Sequence, residues 1–142
     1  MMSVRQMLDR KGREVFSIAP DAAVLEAIRM MADRHVGALL VMQGDNLSGI
    51  VSERDYARKV ILKGRSSADT PVRDIMTAQV ITVQPETTVE SCMQIMTERR
   101  VRHLPVTEGG RVVGMVSIGD LVKAVIAAQQ QQIEQLESYI HS

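Results

Sequence analysis

Gly49-Ile50-Val51-Ser52-Glu53-Arg54-Asp55 and Gly114-Met115-Val116-Ser117-Ile118-Gly119-Asp120 each set a hydroxyl and a carboxylate three residues apart, after a run that reads as a strand. A serine that opens a helix lies beside unpaired backbone N–H groups and the positive end of the helix dipole, where a phosphate or another anion can bind. The aspartate has a different use. It repels a phosphate at contact distance and suits hydroxyl donors, such as the two of a ribose. Serine toward phosphate and aspartate toward ribose is a nucleoside-phosphate arrangement. The same spacing is also close to a capping box, in which the serine caps the helix and the acid reaches back to the cap's own amide. Two features count against a bare cap: Asp is shorter than the Glu or Gln the box prefers, and Gly119 in a first turn costs about 1 kcal/mol relative to Ala. Both readings stand at this point.

No second chemistry assembles. His35, His103 and His141 are too scattered for a metal site, and Cys92 falls on an apolar helix face. No Ser/His/Asp set, Walker loop or paired catalytic acid can be built, so the chain reads as non-catalytic, with no catalytic cofactor. The ten Met read as core filler. With 17 Lys+Arg against 17 Asp+Glu, the formal charge is zero, which removes the electrostatic footprint of a nucleic-acid or acidic-membrane binder. One Cys among 142 residues closes no internal disulfide and suits a reducing cytoplasm. The first 25 residues carry charges where a signal peptide needs an apolar centre, and there is no long apolar run, so neither secretion by that route nor a membrane span is expected. Aromatics are just Phe16, Tyr56 and Tyr139, which leaves Val, Ile, Leu, Met and Ala to make the core.

The elements that must position the two motifs are themselves repeated. Shifting the chain by 65 places lays Val15–Ile61 over Val80–Ile126 without a gap, and Pro20/Pro85, Val24/Val89, Met31/Met96, Leu39/Leu104, Val41/Val106, Gly49/Gly114, Ser52/Ser117, Asp55/Asp120 and Ile61/Ile126 coincide. A unit under about 60 residues buries too little surface to stand comfortably alone, so the two copies are expected to pack together. Each reads as strand, helix, strand, strand, helix. The first strand is Val15–Ile18, ended by Pro20. The helix after it buries Val24, Ala27, Ile28 and Met31, and in the second copy Val89, Cys92, Met93 and Met96. Thr87 as N-cap with Glu90 three residues on predicts a capping box there. Hairpins follow at Val36–Met42 with Leu47–Ser52 and at Val101–Thr107 with Val112–Ser117, each turning through glycine. The resulting division is a lead-in at 1–14, one unit at 15–64, a polar linker and lead-in at 65–79, a second unit at 80–127 and a helical tail at 128–142. Val4, Met7 and Leu8 predict a short amphipathic turn in the lead-in, and Ile133, Leu136 and Ile140 one apolar edge on the tail.

SIAPDAAVLEAI, HVGALLV and LSGIVSERD, matched by ITVQPETTVESCM, RHLPV and VVGMVSIGD, resemble a tandem pair of cystathionine-β-synthase (CBS) domains, the Bateman module, from about Val15 to Ile126. The resemblance implies an α+β fold: two β-α-β-β-α repeats packed through their sheets with pseudo-twofold symmetry, commonly pairing again as a homodimer. It implies a regulatory module that binds an adenosine-containing ligand, AMP, ADP, ATP or NAD, in clefts between the repeats, and that signals energy or redox state to a protein target in trans. The alternative is a constitutive interaction or scaffold module with vestigial clefts. Carried over, Ser52, Arg54 and Asp55 belong to one cleft and Ser117 and Asp120 to the other. Ser17 and Thr82 mark the first strands, Thr77 the second lead-in, and Gly37, Ala38, Arg102, His103 and Pro105 the starts of the second strands. Arg102-His103 stands where the first copy has Gly37-Ala38, so the expectation is unequal clefts, with the Ser117/Asp120 cleft the stronger. A solvated strand-edge cation is the alternative for Arg102.

Overall fold

Period-two alternation across a glycine turn makes a hairpin in each unit. A computed structural model describes residues 2–141, with β2 (Ala38–Gln43) antiparallel to β3 (Asn46–Ser52) and β4 (His103–Glu108) antiparallel to β5 (Arg111–Ser117). Gly44 and Gly109 turn these hairpins at φ 62° and 59°, a region that favours glycine. Ahead of each hairpin stands the apolar-striped helix, α2 (Val24–Arg34) or α4 (Val89–Arg99), which buries Val24, Ala27 and Met31 or Val89, Cys92 and Met96. Each unit closes on a helix: α3 (Glu53–Tyr56), prolonged by a π-turn at Ala57–Ile61, and α5 (Ile118–His141). α5 continues through the tail, leaving Ile133, Leu136 and Ile140 exposed. The architecture is the expected α+β pair of repeats.

Along β2 the side chains alternate between two buried faces. Leu39 and Val41 enter the core of the first unit with Val24, Ala27, Met31, Val51 and Val60, while Ala38 and Leu40 are buried on the opposite face of the sheet. In the second unit Leu104, Val106 and Val116 join Val89, Cys92, Met96 and Leu121. The first strands are shorter than expected. β1 is Ser17–Ile18, parallel to β2, and the second copy keeps only a Val83–Val106 bridge. Proline explains the loss. Leu40 N–H donates to the Phe16 carbonyl at 3.0 Å, but Pro105, its counterpart, has no N–H to give. Helix α4 begins one residue later than the capping box predicts, with Thr88 Oγ1 accepting from Ser91 N–H at 3.1 Å. Thr87 is still in the turn ahead of the helix, its N–H donating to the Gln84 carbonyl at 3.0 Å and its carbonyl accepting from Val4 N–H at 2.8 Å.

That last bond belongs to a crossed arrangement. The lead-in of the first unit folds as α1 (Val4–Lys11), and its Val4, Met7 and Leu8 are buried in the core of the second unit. The lead-in of the second unit, a 3-10 turn at Val72–Asp74 followed by Ile75 and Met76, packs on the first. The backbone bonds match pair by pair: Val72 to Ala22 at 2.8 Å and Val4 to Thr87 at 2.8 Å, Val24 to Thr70 at 2.8 Å and Val89 to Met2 at 3.0 Å, Arg73 to Pro20 and Arg5 to Pro85 both at 2.9 Å. The lead-ins therefore correspond under a shift of 68 residues (Val4 to Val72), against 65 for the units. This crossing ties the two units covalently and by packing.

Candidate functional site

Ser52 ends β3 and caps α3. Its Oγ accepts from Asp55 N–H at 3.2 Å, while its own N–H and hydroxyl donate to Asp55 Oδ2 at 2.9 and 3.0 Å. Ser117 and Asp120 repeat the N–H bonds at 2.9 and 3.2 Å. The capping box weighed from sequence is therefore real at both junctions. What distinguishes the first junction is its surroundings. A cleft of about 340 Å³ opens beside Ser52 at the seam between the units. From the first unit come Gly37, Ile50, Ser52, Glu53, Arg54 and Asp55, from the lead-in Thr77 and Gln79, and from the second unit Val80, Ile81, Arg100, Val101, Arg102 and His103.

The wall has an apolar and a charged part. Ile50, Val80, Ile81 and Val101 offer aliphatic surface, and the guanidiniums of Arg54, Arg100 and Arg102 outnumber the carboxylates of Glu53 and Asp55. Arg54 reaches across the seam and donates to the Arg100 carbonyl at 3.2 Å. Asp55 Oδ1 also lies 3.1 Å from Lys59 Nζ, one turn along the same helix, and that ammonium donates to the Ile75 carbonyl at 2.9 Å. Thr77 is fixed by reciprocal backbone bonds with Ile50, 3.0 and 2.9 Å long. Gly37 is closely flanked: a Cβ there would lie 3.2 Å from Glu53 Oε1 and 3.7 Å from His103. Burial pushes the His103 imidazole below its ordinary 6.5; the charge of Asp120 opposes this, and those of Arg102, Lys11 and Arg54 reinforce it. A neutral imidazole can both donate and accept.

Of the residues singled out from sequence, the fold gathers Gly37, Ser52, Arg54, Asp55, Thr77, Arg102 and His103 in this cleft. Ser17 and Thr82 lie outside it and are exposed, and Ala38 and Pro105 are buried and do not line it. Ser117 and Asp120 form the other junction. His103 pairs with Ser117 across β4 and β5 and the Arg102 carbonyl accepts from Ile118 N–H at 2.9 Å, so both border the second junction, while across the seam they also line the cleft at the first unit's Ser52. Sequence reasoning missed Arg100, Gln79, Val80 and Ile81. Arg100 had one signal, its alignment with His35 just past a helix end; both have a left-handed backbone, φ 55° and 56°. At the second junction Lys11 Nζ lies 2.7 Å from Asp120 Oδ2 and donates to the Met115 carbonyl at 2.8 Å. Burial pushes the Asp120 carboxyl up, but hydrogen bonds from Lys11 and the Ser117 backbone outweigh it and hold the group below its ordinary 3.8.

Burial raises the Cys92 thiol to about 11, which makes it inert core. Among the described residues no group of His, Cys, Asp and Glu could hold a metal ion, and no helix is long and apolar enough to cross a membrane.

The family model for the CBS domain matches residues 4–62 and again 72–127. Over 125 residues the chain is 47% identical to the mitochondrial CBS domain-containing protein CBSX3 of Arabidopsis thaliana, covering 84% of this chain and 61% of the relative; it thus spans under two thirds of that protein's length. A solved structure of a protein with CBS domains from Burkholderia ambifaria MC40-6 superposes with a TM-score of 0.88 at 51% identity, over 90% of this chain and 96% of that one. The CBS domain pair of protein MJ0100, in complex with 5'-methylthioadenosine and S-adenosyl-L-methionine, shares the fold at 21% identity and a TM-score of 0.80, over 90% and 98% of the two chains.

Proposed function

Since the chain belongs to the CBS domain family and carries the domain twice, we propose that it binds an adenosine-containing nucleotide, AMP, ADP, ATP or NAD, in the cleft at Ser52 and reports it to a partner protein in trans. The observation that carries this reading is the composition of that cleft. Aliphatic side chains can cover an adenine, Asp55 can accept from ribose hydroxyls, and Arg54, Arg100 and Arg102 can take phosphate oxygens. MJ0100 holds two adenosine derivatives in a pair of the same fold, which is the ligand class proposed here.

The module acts without catalysis. A nucleotide bridging the two units favours whichever relative placement suits it, and it shifts that equilibrium only by its difference in affinity for the alternatives. Micromolar binding is worth about 8 kcal/mol, so even a modest state-dependent part moves the balance. Its target is a protein rather than a nucleic acid or a membrane, and the setting is the cytoplasm. Homodimerisation belongs to the same proposal: Ile61, Val122 and Ile126 are exposed apolar residues on the closing helices of the two units.

One observation favours a second reading, a constitutive scaffold: both aspartates are already satisfied by caps and lysines. A thermal-shift series with AMP, ADP, ATP, NAD, NADH and S-adenosyl-L-methionine separates the two. A ligand that binds the folded chain raises its melting temperature. No rise with any of them at millimolar concentration would favour the scaffold. A pull-down from the native cell with and without the best ligand then identifies the partner.

A further inference from the structure

We propose that Lys11 occupies the second junction, so that each chain takes one adenosine ligand, at Ser52 and Asp55, instead of two. The inference rests on the nucleotide reading above and starts from the two sequence shifts. Under the 65-residue shift the three guanidiniums of the first cleft all vanish from the second: Arg54 corresponds to Gly119, Arg100 to His35 and Arg102 to Gly37. Glu53 becomes Ile118 and His103 becomes Ala38. The second junction keeps its Ser/Asp pair, but none of the three corresponding positions supplies a guanidinium.

What it gains is a lysine. Ile50 at the first junction gives its carbonyl to Thr77 N–H at 2.9 Å, and Thr77, Gln79, Val80 and Ile81 then line the cleft. Met115, the counterpart of Ile50, gives its carbonyl to Lys11 Nζ at 2.8 Å. The lead-in shift of 68 puts Lys11 at the place of Gln79, but here the lead-in is helical through Lys11. Its ammonium spans from the strand backbone to Asp120 Oδ2 at 2.7 Å, across the two groups a base and a ribose would need. A ribose hydroxyl is a neutral donor, and at Oδ2 it competes with a charge-assisted bond about twice as strong. At the first junction a lysine also meets the aspartate, but Lys59 approaches Asp55 Oδ1 at 3.1 Å along its own helix and is anchored on the Ile75 carbonyl rather than on the Ile50 backbone.

Calorimetric titration of the full chain tests this, using whichever of AMP, ADP, ATP and NAD binds most tightly. Wild type is expected to take one equivalent, Asp55→Ala to lose at least tenfold in affinity, and Lys11→Met to show a second, weaker equivalent. Met keeps the aliphatic stem and removes only the charge, and Lys11→Arg, which restores a cation, should return to one. Melting curves confirm that each variant folds. Two equivalents in wild type, a single site lost in Asp120→Ala and kept in Asp55→Ala, or one equivalent in Lys11→Met would overturn the inference and leave the nucleotide reading intact. No binding of any of the four by wild type or Lys11→Met would overturn both.

Discussion

Leu8 is packed against the bare Cα of Gly114: a Cβ on that glycine would lie 2.8 Å from Leu8 Cδ1. Gly49 holds the same relation to Met76, whose Sδ would be 2.7 Å from an added Cβ. Each lead-in thus presses a side chain into a glycine of the opposite unit. Gly114→Ala should destabilise by about 1–3 kcal/mol through overpacking, and Leu8→Ala by about 2–5 kcal/mol through a cavity. In the double variant the added methyl enters the space left by leucine, so the combined loss should fall short of the sum by about 1 kcal/mol. Urea melts of the four proteins measure that coupling, and strict additivity would mean that the contact does not hold the lead-in.

Why this contact was invisible in the sequence is instructive. The apolar spacing of Val4, Met7 and Leu8 shows that the segment buries one face, but not which unit receives it. The repeated hairpins and helices were legible because local periodicity encodes them and a second copy confirms the register. Three details escaped for tertiary reasons: Pro105 withholds the N–H that would extend a strand, Val4 pairs with Thr87 and delays α4, and the seam brings Arg102 and His103, which border Ser117, into the cleft at Ser52 as well. Periodicity describes an element's own faces, whereas a cleft between two units depends on how those faces meet.

Arg102 offers a test of the cleft that spares its caps. Arg102→Gly restores the residue at the matching place in the first unit, Gly37. A hydrogen bond to a charged group is worth about 1.5–3 kcal/mol, so nucleotide affinity should fall roughly ten- to a hundredfold. The loss should shrink for adenosine, which has no phosphate for the guanidinium. Titrations with AMP and adenosine at fixed ionic strength measure both, and an equal loss for the two would assign Arg102 a role away from phosphate.

Ile61 and Ile126 occupy matching positions on the closing helices, 57% and 58% exposed. Beside them Leu62 is 76% exposed, and Val122 lies one turn before Ile126. Large apolar residues left in solvent at matching places on both units suit a self-complementary face between two copies. Ile61→Glu with Ile126→Glu should convert a dimer to monomers without lowering the stability of the single chain, since neither side chain is in a core. Sedimentation reports the mass, and an unchanged dimer in the double variant would move the interface elsewhere.

His103 makes the fold sensitive to acid. Its folded pKa lies below the ordinary 6.5, so the unfolded chain binds the proton more readily and stability must rise with pH across that interval. The contribution is complete above about 6.5, declines as the pH falls below that value, and is lost once it passes the folded pKa. Asp120, depressed below 3.8, adds a separate loss at lower pH, where its carboxylate protonates and releases Lys11. The groups facing the imidazole are Asp120, which would welcome its proton, and Arg102, Lys11 and Arg54, which oppose it. His103→Gln should therefore flatten the stability curve just below about pH 6.5 while keeping the separate fall at still lower pH that Asp120 causes. Lys11→Met should do the opposite at the low end, removing the partner that depresses Asp120. Chemical denaturation at half-unit pH steps separates the two limbs, and a His103→Gln curve parallel to wild type would place the titrating group elsewhere.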